Sequence, residues 1–191
     1  MEEKRAKADV IIPVYRPDER LFRLLAQLSR QTRMPRKIII MNTERTYWDS
    51  CGAEGRLELL GLSELCEIHH LAKRDFDHGG TRNLGVSFSE SPYFVMLTQD
   101  AVPADTRLLE NLLRPLENGS AEMSYGRQLA NPDADILEKF TRRYNYGDRS
   151  FLKTEADREK LGIKTYFASN VCAAYNRARF DALGGFPSRA I

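Results

Sequence analysis

Short apolar runs alternate with longer stretches of helical periodicity along this chain, and the alternation predicts its elements. Val10 to Tyr15 reads as a buried strand. From Pro17 to Arg33, Leu21, Leu24, Leu25 and Leu28 recur at i, i+3, i+4 and i+7, the stripe of an amphipathic helix that Pro35 ends. Lys37 to Met41, rich in isoleucine, predicts a second strand. Thr46 to Glu64 is mixed, with a helix expected around Gly55 to Leu65; Glu67 to Leu71 predicts a third strand and Thr81 to Ser89 a short helix. Tyr93 to Thr98 gives the clearest central strand, followed by a helix from Thr106 to Glu117. Glu122 to Tyr125 and Val171 to Tyr175 predict further strands, and Arg177 to Leu183 a helix closed by Gly184-Gly185. Strands that alternate with helices need crossover connections. The expected fold is therefore α/β, a mostly parallel twisted sheet flanked by helices on both faces.

Composition narrows the class. The 191 residues are 42% hydrophobic, 29% charged and 9% aromatic, the profile of a globular domain rather than a disordered chain. Lys plus Arg total 29 and Asp plus Glu 27, a net charge of +2, which gives no support for an electrostatic nucleic-acid binder. No apolar run approaches the roughly 20 residues of a membrane helix, and Met1 to Arg5 is polar with no signal-peptide core. Three dispersed cysteines, Cys51, Cys66 and Cys172, show no CxxC pair and fit a reducing compartment. His69 and His70 stand side by side in a predicted strand, so they point to opposite faces and cannot both serve one metal site. Asn118-Gly119-Ser120 matches a glycosylation acceptor but reads most simply as a turn after a helix. The expected location is cytoplasmic.

In open α/β sheets, ligands bind beyond the carboxyl ends of the strands, so the residues there carry the chemistry. The first strand ends in Pro13-Val14-Tyr15-Arg16-Pro17, with neither a dinucleotide-binding GxGxxG nor a P-loop. Asn42-Thr43-Glu44 after the second strand could bond a base or ribose edge, or form an ordinary turn. Asp75 to Gly85 is the densest polar cluster and opens a helix. Its glycines permit close backbone approach, and helix-start N–H groups favour an anion. Arg82 in a first helical turn opposes the helix dipole unless something negative faces it. Chemistry alone leaves open a phosphate partner or pairing with Asp75 or Asp77. After the central strand, Asp100 delivers one acid to the sheet edge, which suits a hard divalent cation that bridges substrate phosphates. A turn aspartate is the plain alternative.

Taken together, these strand ends resemble the family 2 glycosyltransferases, inverting sugar-nucleotide enzymes of the GT-A fold. Val10-Ile11-Ile12-Pro13-Val14-Tyr15 resembles the family's opening strand, and Phe76-Asp77-His78-Gly79-Gly80-Thr81-Arg82-Asn83 the segment before its metal strand. Leu97-Thr98-Gln99-Asp100-Ala101 stands where the family has an Asp-x-Asp motif, with Thr98 replacing the first acid. Tyr125-Gly126-Arg127-Gln128 and Phe167-Ala168-Ser169-Asn170-Val171 resemble the next strands lining the sugar pocket, and Leu183-Gly184-Gly185-Phe186-Pro187 the turn before the catalytic segment. The His-Gly-Gly-Thr-Arg-Asn and Thr-Gln-Asp-Ala variants are most similar to the rhamnosyltransferase-like branch.

The resemblance implies donor contacts at Pro13, Tyr15, Asn42, Glu44, Asp77, His78, Arg82, Asn83, Gln99 and Arg127, and a Mg2+ or Mn2+ ion at Asp100. It implies a nucleotide-diphosphate sugar donor, dTDP-rhamnose in that branch, and a saccharide or lipid-linked saccharide acceptor. The full-length protein could then sit peripherally at the inner face of a membrane. The reaction would be a single displacement with inversion, in which a carboxylate takes the acceptor proton while the metal neutralises the leaving diphosphate. The family's Glu-Asp base pair occurs nowhere in this sequence, so the base is expected beyond Ile191. Residues 1–191 would then be the nucleotide-sugar-binding portion of a larger domain. Two alternatives differ in class. A non-catalytic sugar-nucleotide or partner-binding domain is one. A sugar-1-phosphate nucleotidyltransferase is the other, disfavoured because no glycine-rich loop follows the first strand.

Overall fold

A computed structural model describes residues 6–130 and 133–188. The polar start of the chain, Met1 to Arg5, and its end from Arg189 lie outside the described residues. Six strands form one sheet: β1 (Ala8–Tyr15), β2 (Ile38–Thr43), β3 (Cys66–Leu71), β4 (Tyr93–Leu97), β5 (Met123–Tyr125) and β6 (Cys172–Asn176). Their spatial order is β3-β2-β1-β4-β6-β5. The three pairs among β3, β2, β1 and β4 are parallel, and β6 runs antiparallel to both β4 and β5. The chain winds outward from β1 in one direction and then crosses to β4, so β1 and β4 flank the switch point of the sheet.

Alternation along the strands sorts the core into two layers. Val10, Ile12, Val14, Ile38, Ile40, Val95 and Leu97 face one side, and Ile11, Ile39, Met41, Phe94 and Met96 the other. The first side is covered by α1 (Glu19–Leu28), α2 (Arg45–Ser50), α3 (Ala53–Leu59) and α5 (Leu108–Glu117). The second is covered by α4 (His78–Ser87) and α8 (Arg177–Ala182). The leucine stripe of α1 buries Leu21, Leu24, Leu25 and Leu28 completely, at roughly 1.5–3 kcal/mol each. At the amino end of the sheet, fully buried Asp9 accepts from Arg36 Nε and Nη2 at 3.1 Å each and from Ser89 Oγ at 2.7 Å.

Several boundaries differ from the sequence expectation. α1 ends at Leu28, short of Arg33, because buried Gln31 turns inward; its amide donates to Gln27 O and Asp105 O and accepts from Leu109 N. The helix expected over Gly55 to Leu65 is instead α3, which starts earlier at Ala53 and ends at Leu59, and α2 precedes it across Gly52, whose φ is 62°. Phe167 to Val171 and Gly126 to Gln128 are loops rather than strands. Between β5 and β6 the sequence reading gave no helix, yet α6 (Ile136–Asn145) and α7 (Arg158–Leu161) form there. The turn after α5 is as expected, with Asn118 Oδ1 accepting from Ser120 N at 3.0 Å.

Candidate functional site at the switch-point edge

Parallel pairing puts the carboxyl ends of β1, β2, β3 and β4 on one edge. Both antiparallel reversals add to that edge: Leu97 stands opposite Cys172, and Tyr125 opposite Ala173, so β5 ends there and β6 starts there. The whole excursion from Gly126 to Val171 therefore leaves from and returns to the edge where β1 and β4 end.

At the end of β1, Gln99 reaches across the switch point. Its Oε1 accepts from Tyr15 N at 2.8 Å and its Nε2 donates to Tyr15 O at 3.1 Å, so the amide joins the two strand ends. The Tyr15 ring meets Tyr47 edge-on at 5.5 Å, and the Arg16 guanidinium lies 5.2 Å from the first ring and 5.0 Å from the second. Lys73 Nζ stands 6.0 Å from the Tyr15 ring. Arg16 donates to the Tyr47 hydroxyl, and this bond holds the Tyr47 pKa below its ordinary value. The result is a half-open aromatic cup edged by two cations. Arg16 at φ 51° and Glu44 at φ 67° are the non-glycine residues with positive φ among the described ones. Both directly follow a strand at this edge. Such backbone strain collects at functional sites.

Glu44 accepts from Lys73 N through its carboxylate, fixing the loop after β3 to the end of β2. Asn42, buried beneath, donates to Glu44 O at 3.2 Å and bonds His70 Nδ1 at 2.9 Å, while its Oδ1 and the Thr43 hydroxyl find no partner. His70 packs on Trp48 and His69 on Phe88, so the pair does face opposite sides of the sheet. Burial, with Arg45 nearby, pushes the His70 pKa down. Pro13 lies in β1 opposite Met41, half-buried and short of the cup.

α4 begins three residues earlier than expected, at His78, because Asp77 caps it by accepting from Gly80 N. His-Gly-Gly is thus the first helical turn and not a loop. Its glycines serve close packing: a Cβ on Gly79 would fall 1.8 Å from Pro187 O, and one on Gly85 2.6 Å from Ile11 Cγ2. Arg82 consequently sits a turn beyond the helix start, where the dipole's opposition has largely faded. It pairs with neither Asp75 nor Asp77. Nη1 donates to His78 O at 2.6 Å, and buried Nε has no partner. Among the described residues Arg82 makes no ion pair with an acid, and desolvation lowers its pKa. The nearby Tyr175 phenol, pushed up to about 12 by burial, donates to Asn170 Oδ1 at the edge. Asn83 is occupied otherwise: Nδ2 donates to Phe186 O and Oδ1 accepts from Phe186 N, both at 2.9 Å. His78 is exposed, with its ring edge-on to Phe76 at 5.1 Å.

Asp100 follows β4 as an exposed carboxylate within electrostatic reach of Arg20. Thr98 Oγ1, at the position preceding Gln99, is buried without a partner. Among the described residues no group of three His, Cys, Asp or Glu side chains could hold a metal. Arg127 stands apart near β5 and donates to Gly147 O at 3.4 Å. Its neighbour Gln128 is a hub that donates to the Tyr146 hydroxyl and to Ser169 Oγ at 2.8 Å and accepts from Arg142. A cavity of about 150 Å³ is lined by Tyr125, Tyr144, Phe151 and Phe167 with Lys153 and Lys164. Arg16, Tyr47 and Lys73 were missed by sequence reasoning. Tyr47 falls in the mixed stretch after β2, and only the fold brings the three beside Tyr15.

An open α/β sheet with this strand order, an aromatic cup at its switch point and an acid following its central strand defines a GT-A domain. Glycosyl transferase family 2 matches residues 9–184, and the chain belongs to that family. It is 37% identical over 186 residues to the O-antigen chain rhamnosyltransferase RfbN of Salmonella typhimurium, covering 97% of this chain and 57% of that protein. It is 36% identical over 164 residues to the O-antigen chain rhamnosyltransferase WbaN of Salmonella anatum, covering 85% of this chain and 50% of the relative. The chain thus spans about half the length of these relatives. Among solved structures, the mannosyltransferase PcManGT of Pyrobaculum calidifontis, in complex with GDP-Man and Mn2+, superposes with a TM-score of 0.64 at 16% identity, over 96% of this chain and 48% of that one. Residues 1–349 of S. aureus TarS with UDP-GlcNAc give a TM-score of 0.65 at 15% identity, over 96% and 49%. These likenesses concern the fold. Among the described residues no helix is long and apolar enough to cross a membrane.

Proposed function

We propose that this chain is the nucleotide-sugar-binding portion, residues 1–191, of an inverting glycosyltransferase that takes dTDP-rhamnose and passes rhamnose to a hydroxyl of a saccharide or lipid-linked saccharide. The observation that carries the reading is Arg82. A half-buried guanidinium with no ion pair among the described residues and an unpartnered buried Nε is stabilised when a diphosphate arrives, because a charge-assisted bond repays its desolvation. The rhamnosyltransferase relatives support the donor.

In this reading the nucleobase packs in the cup of Tyr15 and Tyr47 under Arg16, and Glu44 takes the ribose hydroxyls. Asn42, pinned by His70, supports Glu44 from below, and Pro13 sets the strand end. Arg82 holds the diphosphate at α4, which Asp77 caps, with exposed His78 beside it. Arg127, in the loop after β5, would have to leave Gly147 O to meet the sugar. Gln99 and Asn83 position these groups through backbone clamps. The donor set fits a divalent ion: Asp100 alone would hold Mg2+ or Mn2+, a hard cation that keeps waters and takes its remaining oxygens from a diphosphate. Bound there, the ion would neutralise charge on the leaving group. The base that accepts the acceptor proton is assigned to no residue of this chain. The protein works in the cytoplasm, peripherally at the inner face of the membrane.

Titration calorimetry with dTDP, UDP and GDP, each with and without Mg2+ or Mn2+, tests the reading. The expected result is preference for dTDP, strengthened by metal. Arg82→Ala should weaken binding by roughly 10- to 100-fold, the worth of a hydrogen bond to a charged group. Absence of nucleotide binding, with Arg82→Ala indistinguishable from wild type, would favour a non-catalytic partner-binding domain.

A further inference from the structure

Asn170 stands one residue before Val171, whose carbonyl accepts from Thr98 N at 3.1 Å. The loop entering β6 is thereby pinned to the end of β4, at a residue two positions before Asp100. The Tyr175 hydroxyl donates to Asn170 Oδ1. That bond fixes the amide: Oδ1 is spent on the phenol, and Nδ2 is left with no partner among the described residues. The phenol is itself held firmly, its ring stacked on Phe94 at 5.1 Å and edge-on to Phe180 and Phe186 at 5.8 and 5.6 Å. Two further polar groups here lack partners. Arg82, within electrostatic reach of Tyr175, has a buried Nε with none, and the Thr98 hydroxyl is buried with none. Buried polar groups in native proteins are nearly always bonded, so unpartnered ones gathered at one strand end mark a place that a polar ligand fills.

We propose that Asn170 is a diphosphate-binding residue of the donor site, its Nδ2 donating to a phosphate oxygen held between Arg82 and Asp100, and that Tyr175 is the positioning residue that fixes this amide. The chemistry of the free groups selects the ligand. A sugar hydroxyl both gives and takes a hydrogen bond, whereas a phosphate oxygen only accepts, and Arg82 Nε and Asn170 Nδ2 can only donate. A donor that meets a charged oxygen is worth more than one that meets a neutral one. The preset amide arrives without the cost of ordering a free side chain, because Tyr175 already holds it. The inference rests on the nucleotide reading above and adds to it a neutral donor, with its support, from the strand that follows the excursion.

Titration calorimetry with dTDP and with dTDP-rhamnose, each with Mg2+, is the test. Asn170→Ala should weaken both ligands by the same factor, about tenfold, because the contact lies on the diphosphate they share. Asn170→Asp keeps the acceptor for Tyr175 but sets a carboxylate against the phosphate, and should bind more weakly still than the alanine variant. Tyr175→Phe should cost about three- to fivefold in the wild-type background and nothing once Asn170 is alanine, a coupling that lost packing alone would not produce. Thermal midpoints close to wild type separate these losses from misfolding. Asn170→Ala binding dTDP as wild type does, while Arg82→Ala is impaired, overturns this inference and leaves the nucleotide reading standing. So does an aspartate variant that binds better than alanine, or a loss confined to dTDP-rhamnose, which puts the amide on the sugar. An equal cost of Tyr175→Phe in both backgrounds overturns the role of Tyr175. Absence of dTDP binding by the wild type overturns both readings together.

Discussion

Replacing Asn83 separates a clamp from a ligand contact. Its amide makes two 2.9 Å bonds to the Phe186 backbone, one donated and one accepted, across 103 positions of sequence. Those bonds hold the Gly184-Gly185 turn against α4, where Gly185 at φ 80° approaches so closely that a Cβ would lie 2.9 Å from Asn83 Oδ1. Asn83→Ala removes both. At about 0.5–1.5 kcal/mol net per bond the expected loss is about 2 kcal/mol. For a chain of this size that is a fall of roughly 4–8 °C in Tm. Asn83→Asp keeps the acceptor for Phe186 N–H but sets a carboxylate oxygen against Phe186 C=O. The folded state then favours the protonated acid, which can donate, so the pKa of that side chain is raised on folding. Stability from that proton is present below the unfolded pKa and lost as pH rises through the folded one. The Asp variant should therefore approach wild type in acid and fall away toward neutrality, in contrast to Ala. Urea unfolding followed by circular dichroism across pH reads both variants. A loss below about 0.5 kcal/mol for Ala, or an Asp variant as stable as wild type at neutral pH, would refute the clamp.

Other consequences are as direct. Arg36→Met leaves the Asp9 carboxylate buried with only the Ser89 hydroxyl, and should cost about 3–5 kcal/mol in urea unfolding. Burial raises the thiols of Cys66 and Cys172 to about 12, so both should resist alkylation in the native protein at mildly alkaline pH, with half-buried Cys51 reacting first and all three reacting once unfolded. His70 has a lowered pKa when folded. Its stabilisation is present above the ordinary value of 6.5 and lost as pH falls through the folded one, so His70→Gln should flatten the acid side of the stability profile.

The strands and α1 are legible in the sequence because their apolar residues face inward, so period and burial coincide. Strand direction is not. β6 carries the same apolar run whether it lies parallel or antiparallel, and only the path of the chain after β5 decides. The start of α4 was misplaced because Gly79-Gly80 reads as a loop, whereas Gly79 is there to let Pro187 approach. α6 escaped notice for the opposite reason to α1: its stripe is clear, but it points away from any core. Strand-end logic singled out Tyr15, Arg82 and Asp100, and the fold puts Tyr15 and Asp100 after β1 and β4 and Arg82 in α4. It could not show that Gln99 and Asn83 serve the backbone, because the same amide chemistry suits a ligand and a clamp. Tyr47 and Lys73 join Tyr15 only through the crossings that place the ends of β2 and β3 beside β1.

The central claim is that the edge after β1 and β4 seats a nucleoside diphosphate between Arg82 and a cation at Asp100. A crystal structure of this chain soaked with dTDP-rhamnose and Mn2+, phased for manganese anomalous signal, tests it most directly. The account predicts a manganese peak on the Asp100 carboxylate, the diphosphate bridging that ion and the Arg82 guanidinium, and the thymine ring in the Tyr15–Tyr47 cup. Manganese bound away from Asp100, or an ordered nucleotide elsewhere on the sheet with Arg82 and Tyr15 untouched, would contradict it.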